Sequence, residues 1–207
     1  KKLIIGMPRE KQHLEQRISL TPEAIEVLVD NGHEVLIESK AGEGAHYSDK
    51  NYSECGGFIV ENKSQVLGAD ILLKVEPLDL EEIDLLKGNQ VIFSGLHIHT
   101  QKEDYIRKLM DKKITAIAYE YIKDEYNYYP ILQSMNAIAG NTAIIIAAEY
   151  LSVHNGGKGV MLGGISGITP TEVVILGAGI AAEFAARAAL GLGAFVIVRL
   201  MKGYAPK

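Results

Sequence analysis

The stretch VVILGAGIAAE, residues 173–183, joins a run of apolar, β-branched residues to a glycine-rich turn and an alanine-rich segment. Gly177, Gly179 and Ala182 stand at the spacing Gly-x-Gly-x-x-Ala, which is typical of the first strand-to-helix turn in a dinucleotide-binding fold. Glycines at this turn let a pyrophosphate approach the backbone N–H groups at the start of the helix. The stretch therefore predicts a strand, a turn and a helix, with these three residues binding a dinucleotide.

The residues after this turn suffice for about one βαβ unit, since such a unit takes about thirty residues. A full dinucleotide-binding domain needs more, so we expect a chain of this length to be catalytically weak or inactive. NAD-binding folds carry Asp or Glu about twenty residues after the glycines to bind the ribose hydroxyls. Here the predicted second strand, residues 194–198, leads into Arg199, and no acidic residue follows Glu183. NAD is the cofactor we expect, and the 2′-phosphate of NADP is the alternative that a basic residue there would suit.

Composition narrows the class of protein. The chain of 207 residues is 47% hydrophobic and 23% charged, which is typical of a packed globular protein. A net charge of -5 argues against nucleic acid as a partner. The longest apolar run, residues 143–148, is too short to span a bilayer, and residues 1–5 do not resemble a signal peptide. Cys55 is the only cysteine, so no internal disulfide is expected and the cytoplasm is the expected location.

Strands and helices alternate along the first two thirds of the chain. Predicted strands cover residues 2–6, 33–38, 70–75, 90–93 and 114–119. Thr21 and Pro22 mark the start of one helix. The run Thr100-Gln101-Lys102-Glu103 has the pattern of a capping box for a helix that buries Ile106, Leu109 and Met110. This order predicts an α/β fold, namely a Rossmann/flavodoxin-like parallel sheet followed by the first βαβ portion of a Rossmann NAD-binding domain.

Three domain segments follow from this pattern. Residues 1–135 form the predicted substrate domain, and residues 171–207 form an incomplete NAD-binding domain. Residues 136–170 form an interdomain helix and a glycine-rich linker. The helix, residues 136–153, offers Ile138, Ile145 and Ile146 for burial. The glycine-rich passage that follows is typical of a flexible linker or hairpin, and a loop beside the ligand cleft is the alternative.

Three polar residues are predicted to lie at one edge of the first sheet. Lys74 ends one strand, His97 follows the next, and Arg17 belongs to the loop after the first strand. Ligands of parallel sheets bind at the carboxyl ends of the strands. Taken singly, each residue also suits a plain role: a solvated lysine, a structural loop histidine and a surface arginine. Together, two cations suit a substrate carboxylate and a histidine suits proton transfer at a carbonyl or carbinol oxygen. With a dinucleotide turn, the set indicates hydride transfer on a small α-substituted acid.

Five short segments carry a family pattern: GMPRE (6–10), EQRISLTP (15–22), LLKV (72–75), LH (96–97) and SMNAIAG (134–140). On these segments the sequence resembles the alanine dehydrogenase family, from the first predicted strand to about residue 198. The resemblance implies that Arg17 and Lys74 bind the substrate, that His97 and Lys74 are catalytic, and that Met135 and Asn136 contact the cofactor.

The implied reaction is the NAD-dependent, reversible oxidative deamination of L-alanine to pyruvate and ammonium by a cytoplasmic homo-oligomer. The same family includes the NAD(H)-binding subunit of proton-translocating transhydrogenase, which lacks a histidine like His97. That subunit is the alternative, and a non-catalytic α/β ligand-binding fragment is a third. His97 and His99 alternate without a third ligand in view, so no metal site is expected.

Overall fold

The computed structural model describes residues 2–11 and 14–200. The chain divides into two compact units, Lys1–Tyr121 and Ile122–Lys207. Residue 135, where the predicted substrate domain ends, lies inside a helix that spans Pro130–Leu151. The functional division at 1–135, 136–170 and 171–207 stays a prediction. Each unit is described below by itself.

The first unit is built on a six-stranded sheet in which every pair of neighbouring strands is parallel. The strand order is β3-β2-β1-β4-β5-β6, the order of a Rossmann fold, so the predicted fold class is confirmed. The chain reverses its direction of travel across the sheet between β1 and β4, where such folds bind ligands. The strands are β1 (Ile4–Met7), β2 (Glu34–Glu38), β3 (Phe58–Val60), β4 (Ile71–Leu73), β5 (Val91–Ser94) and β6 (Thr115–Ala118).

Five α-helices connect these strands: α1 (Pro22–Asp30), α2 (Asp49–Glu54), α3 (Lys63–Val66), α4 (Leu80–Asp84) and α5 (Glu103–Asp111). Thr21 caps α1 as predicted, since its side chain accepts a hydrogen bond from the N–H of Ala24. The capping box predicted from Thr100 is wrong. Residues Ile98–Thr100 form a 3-10 turn, the Thr100 hydroxyl donates to the carbonyl of His97, and Lys102 is the N-cap of α5.

The core of the first unit consists of two clusters of buried apolar side chains. One includes Leu72, Ile83, Ile92, Tyr105 and Leu109, and Ile106 packs against it. Met110 was predicted to be buried beside them but is exposed, because it lies about 100° further around α5 than the buried Leu109. The second cluster comprises Ile5, Met7, Ile25, Val35, Ile37, Ala41 and Tyr52. The strands that precede the predicted site residues therefore pack into these two clusters.

The second unit contains the predicted βαβ portion. Strands β7 (Glu172–Leu176) and β8 (Phe195–Arg199) pair in parallel, and α7 (Ile180–Gly191) connects them. The long helix α6 (Pro130–Leu151), which precedes them in the sequence, packs on α7. Ile144, Leu162, Ala185, Ala189 and Ala194 form the core. Ile138, Ile145 and Ile146, predicted as available for burial, are exposed, and Ile144 is the buried isoleucine of α6.

The expectation that no apolar segment is long enough to span a bilayer is wrong for helix α6. It has 22 residues, and an 18-residue window within it has a mean hydropathy of 1.4. By length and composition it is long and apolar enough to cross a bilayer. The prediction counted only an uninterrupted apolar run, whereas Ser, Asn and Gln interrupt this helix without cancelling its mean hydropathy. One such helix is weak support for a membrane protein, since core helices of soluble proteins share this composition.

Candidate functional site

Lys74 follows β4 and is buried, with 3% of its side chain exposed. Its Nζ donates to Glu10 Oε2 at 2.9 Å and to the carbonyl of Pro77 at 3.4 Å. Its backbone N–H donates to Phe93 at the neighbouring strand. The plain alternative, a solvated lysine at a strand end, is therefore wrong. A buried ammonium needs an anionic partner, and Glu10 is that partner.

Glu10 ties the loop after β1 to the loop after β4. Its Oε1 accepts the N–H of Val75 at 2.7 Å, and its Oε2 accepts the N–H of Glu76 at 3.4 Å. Behind Lys74 lies Glu82, which is almost wholly buried and accepts a hydrogen bond from Lys63 at 2.8 Å. The Nζ of Lys74 stands 3.9 Å from Glu82. The carboxylates of Glu10 and Glu82 thus hold the ammonium of Lys74 in place, and Lys63 neutralises Glu82.

Arg17 lies in the loop after β1, and Glu15 binds it from two residues away. The guanidinium donates from Nε to Glu15 Oε1 at 2.8 Å and from Nη2 to Oε2 at 2.5 Å. These hydrogen bonds hold the pKa of Glu15 below its ordinary value. The same Nη2 lies 3.5 Å from Glu76 Oε1. About half of the Arg17 side chain is exposed, so an incoming anion can reach it.

His97 follows β5 and is held in an unusual backbone conformation. Its φ of 47° and ψ of 44° lie in the left-handed region. Glu120 stabilises this conformation, because its Oε1 accepts the N–H groups of Leu96 at 2.9 Å and of His97 at 2.8 Å. The imidazole is half exposed, and its Nε2 stands 3.7 Å from Glu76 Oε2. A backbone held in this way presents the ring at the strand end.

Glu76 is the point where the predicted site residues meet. One carboxylate oxygen faces Arg17 and the other faces His97, while Lys74 is two residues away along the chain. Only 17% of the Glu76 side chain is exposed, and this burial raises the pKa of its carboxyl group. The structure therefore brings Arg17 and His97 to the carboxylate of Glu76. It fixes Lys74 at the end of β4, two residues before Glu76.

The prediction from sequence missed the carboxylates of this site, namely Glu10, Glu15, Glu76 and Glu120. All four follow parallel strands in the sequence, as the predicted cations do. The same argument about strand ends would have found them had it been applied to acidic residues.

A cavity of about 380 Å³ adjoins the cluster. Its volume suits a small organic ligand. Arg17 and Glu10 line it, and so do Arg9, Lys11 and Lys40. Lys74 and His97 are not among its lining residues, so the cavity reaches the cluster from the Arg17 side.

The glycine turn of the second unit has the backbone that dinucleotide binding requires. Gly177 has a φ of +117°, a conformation that favours glycine, and its N–H donates to the carbonyl of Arg199 at 2.9 Å. Gly179 is the N-cap of α7, and Ala182 lies in its first turn. A Cβ placed on Gly177 or Gly179 would meet no protein atom within 4 Å. This open space in front of a helix N-terminus fits a pyrophosphate.

The other predicted cofactor residues, Met135 and Asn136, belong to the same unit. Both lie in the second turn of α6 and are half-buried. Arg199 ends β8 opposite Leu176, at the place where NAD-binding folds carry an acidic residue. Across residues 2–11 and 14–200, no group of three or more His, Cys, Asp or Glu side chains could hold a metal ion.

Two family sequence models match the chain in succession. The model described as alanine dehydrogenase/PNT, N-terminal domain, matches residues 6–139. The model of the C-terminal domain of the same family matches residues 143–201. The chain belongs to the alanine dehydrogenase/PNT family. The family resemblance drawn from the sequence motifs is thereby confirmed.

Members of the alanine dehydrogenase/PNT family from distant organisms resemble this chain. It is 39% identical over 197 residues to alanine dehydrogenase of Staphylococcus saprophyticus, covering 95% of this chain and 53% of that protein. It is 40% identical over 198 residues to alanine dehydrogenase of Methanococcus maripaludis, covering 95% and 52%. The chain thus spans about half the length of the curated relatives it matches.

Solved structures of this family share its fold. An L-alanine dehydrogenase structure matches with a TM-score of 0.89 and 36% identity, over 95% of this chain and 54% of that one. A transhydrogenase from Sinorhizobium meliloti matches with a TM-score of 0.83 over 97% of this chain and 57% of that one. The transhydrogenase is 22% identical, so it shows likeness of fold alone.

Proposed function

We propose that this chain carries the substrate site of an NAD-dependent dehydrogenase that reversibly deaminates L-alanine to pyruvate and ammonium. The observation that carries the proposal is the meeting of Arg17 and His97 at Glu76, beside the buried Lys74. An arginine that can bind a carboxylate and a histidine that can act as acid or base, at one edge of the sheet, suit a small 2-oxo or 2-amino acid. Relatives named alanine dehydrogenase support this choice of substrate.

Each residue has a role that follows from its surroundings. Arg17 offers a half-exposed guanidinium to the substrate carboxylate, and Lys74 supplies a fixed positive charge that polarises the oxo group. His97 exchanges a proton with the substrate, because the ring nitrogens of its half-exposed imidazole can donate or accept one. Catalytic roles therefore fall to His97 and Lys74.

Gly177, Gly179 and Ala182 would hold the pyrophosphate of the cofactor, with Met135 and Asn136 on α6 as further contacts. The bound nicotinamide supplies the acceptor for the hydride that leaves the substrate. NAD is the cofactor we propose. Because Arg199 at the end of β8 would suit the 2′-phosphate of NADP, the affinities for NADH and NADPH should be compared. The protein is proposed to be a cytoplasmic homo-oligomer, which light scattering on the natural protein would test.

Binding of pyruvate to the chain tests the substrate site. We expect a pyruvate titration followed by NMR to perturb Arg17 and His97, and Arg17→Gln to abolish the perturbation. Arg107→Gln is the matched control, because Arg107 is an exposed arginine paired with Glu103 on α5. Equal binding by wild type and Arg17→Gln would refute the assignment.

Turnover by the protein from its natural source distinguishes the functions. A dehydrogenase oxidises NADH when pyruvate and ammonium are both present, and His97→Gln should lower kcat by a factor of about 10² to 10⁴. The transhydrogenase alternative predicts no response to pyruvate or ammonium. Pyruvate binding without turnover in the natural protein would leave the non-catalytic binding module as the function.

The cofactor turn has its own matched pair of variants. Gly179 has a φ of -81° and open space at its Cβ position, so Gly179→Ala should fold normally and hinder only a ligand. We expect NADH to bind the natural protein and to bind Gly179→Ala more weakly, while Gly191→Ala at the other end of α7 leaves NADH affinity unchanged. Unchanged NADH affinity in Gly179→Ala would exclude this turn as the pyrophosphate site.

A further inference from the structure

Arg17 is surrounded by more negative charge than a carboxylate-binding residue needs. Glu15 already binds its Nε and Nη2, and Glu76 stands 3.5 Å from the same Nη2. If Arg17 binds a substrate carboxylate, as the proposed function holds, a third carboxylate joins two others around one guanidinium. Three negative charges at this distance repel one another strongly in a partly buried site. A proton on one carboxyl group would remove much of that repulsion.

Glu76 is better placed than Glu15 to take that proton. Glu15 receives strong hydrogen bonds from Arg17, and these hold its pKa below the ordinary value. Glu76 is more distant from Arg17, and burial raises its pKa although His97 and Arg17 act in the opposite direction. The two carboxyl groups also act on each other, and the presence of Glu15 raises the pKa of Glu76 further.

Titratable and charged groups face Glu76 from three loops. The loop after β1 contributes Glu10, Glu15 and Arg17, the loop after β5 contributes His97, and the turn after β6 contributes Tyr119, which Glu120 follows in the sequence. Glu10 is occupied by Lys74 and backbone N–H groups, and Glu120 by the N–H groups of Leu96 and His97. Burial raises the pKa of Tyr119, so its phenol stays neutral and donates to the carbonyl of Val75.

We propose that Glu76 is a proton-linked positioning residue, which takes up a proton when a 2-oxo acid carboxylate binds Arg17. In the free site, ionised Glu76 faces Arg17 and His97. When the substrate carboxylate arrives, the Glu76 carboxyl group accepts one proton from solvent and becomes neutral. Its neutral form no longer repels the substrate and can donate a hydrogen bond to a neighbouring oxygen.

Proton linkage makes pyruvate affinity depend on pH in a defined direction. Pyruvate remains ionised above about pH 5, so its own carboxyl group does not contribute. Between the pKa of Glu76 in the free site and its higher pKa in the complex, each rise of one pH unit should weaken pyruvate binding by up to about tenfold. The Kd of pyruvate for the 207-residue chain can be measured by NMR titration from about pH 5.5 to about pH 8. Calorimetry in two buffers of different ionisation enthalpy gives the number of protons taken up.

The variants separate Glu76 from His97, the neighbouring side chain that can also exchange a proton. We expect wild type and His97→Gln to take up as much as one proton per pyruvate, with the largest uptake between the pKa of Glu76 in the free site and its higher pKa in the complex. Glu76→Gln should take up none and should bind pyruvate with a Kd that is nearly independent of pH. Glu61→Gln, which removes an exposed carboxylate elsewhere, should behave as wild type.

Three outcomes would overturn the proposal. Linkage that persists in Glu76→Gln and disappears in His97→Gln would assign the proton to the histidine. Wild-type binding that depends on Arg17 but takes up no proton would refute the role of Glu76 and leave the proposed function intact. Absence of pyruvate binding in wild type would refute the proposed function, and the role of Glu76 with it.

Discussion

At the scale of single residues, the buried ammonium of Lys74 depends on one carboxylate. Both partners of the Lys74–Glu10 pair are more than nine-tenths buried, and their 2.9 Å contact lies away from water. Removing one partner of such a pair leaves a buried charge without compensation. We expect Glu10→Gln to lower the free energy of unfolding by about 3 kcal/mol in urea denaturation.

The exposed pair Glu103–Arg107 provides the control for Glu10→Gln. Its side chains stand 2.6 Å apart but are 76% and 70% exposed. Exposed pairs contribute about 0 to 1 kcal/mol, so Glu103→Gln should change stability by less than that. Similar losses in both variants would show that the Lys74–Glu10 pair is not buried in solution.

The two carboxyl groups beside Arg17 should respond to pH with opposite signs. The pKa of Glu15 is below its ordinary value of 4.5, so its stabilisation is present above that pH and is lost as pH falls through the folded-state pKa. The pKa of Glu76 is raised, so its effect is reversed and stability falls as pH rises through the folded-state pKa.

Thermal unfolding between about pH 3 and pH 8 measures both effects. Relative to wild type, Glu15→Gln should lose less stability on acidification below about pH 4.5. Glu76→Gln should lose less stability as pH rises above that value. Parallel profiles for both variants and wild type would contradict the two pKa directions.

The cations of the site could be predicted from sequence, whereas their surroundings could not. Arg17, Lys74 and His97 follow parallel strands, and strand order alone brings such positions to one edge of a sheet. The burial of Lys74 depends on Glu10, which is 64 residues away in sequence. The position of Glu76 between Arg17 and His97 depends on three loops. Local sequence patterns contain no information on such distant pairings.

At the scale of elements, the close approach of α6 and α7 depends on Gly140. A Cβ there would overlap the carbonyl oxygen of Ala181 and crowd Ala185 and Phe184. Alanine favours helices more than glycine does, but overpacking against backbone outweighs that preference. We expect Gly140→Ala to destabilise the second unit by about 1 to 3 kcal/mol, measured by amide hydrogen exchange in α7.

Gly191→Ala is the matched control within the same unit. Gly191 ends α7, and a Cβ on it would meet no atom within 4 Å. Its replacement by alanine should stabilise the helix by about 0.5 to 1 kcal/mol. A stabilising effect of Gly140→Ala as well would indicate that α6 and α7 are farther apart than the structure shows.

Long or strongly patterned elements were predictable, and short ones were not. The βαβ portion was predicted because an apolar strand, a glycine turn and an alanine-rich helix follow one another. Strand β3 and helices α2, α3 and α4 have three to six residues each, too few to show a periodicity. Which isoleucines of α6 are buried depends on its packing against α7, since nearly all positions of this helix are apolar or small.

At the scale of the whole molecule, the proposed substrate residues and the proposed cofactor residues belong to different units. The first has the six parallel strands of a full Rossmann sheet, with the substrate cluster at its strand ends. The described part of the second has two strands, whereas a dinucleotide-binding fold is built from two βαβαβ halves. The proposed substrate binding therefore needs only residues of the first unit, whereas hydride transfer also needs the cofactor, whose proposed binding residues lie in the second unit.

The 207-residue chain should consequently bind pyruvate through Arg17 yet give little turnover. We expect NADH oxidation with pyruvate and ammonium to be at least about 10²-fold slower than by the alanine dehydrogenase of Staphylococcus saprophyticus, of which this chain covers 53%, because fewer residues orient the two reactants. The measurement compares NADH absorbance loss per mole of the two proteins at equal pyruvate saturation. His97→Gln in the 207-residue chain is the control for background oxidation. Equal turnover by the two proteins would show that the β7–α7–β8 portion binds the cofactor fully.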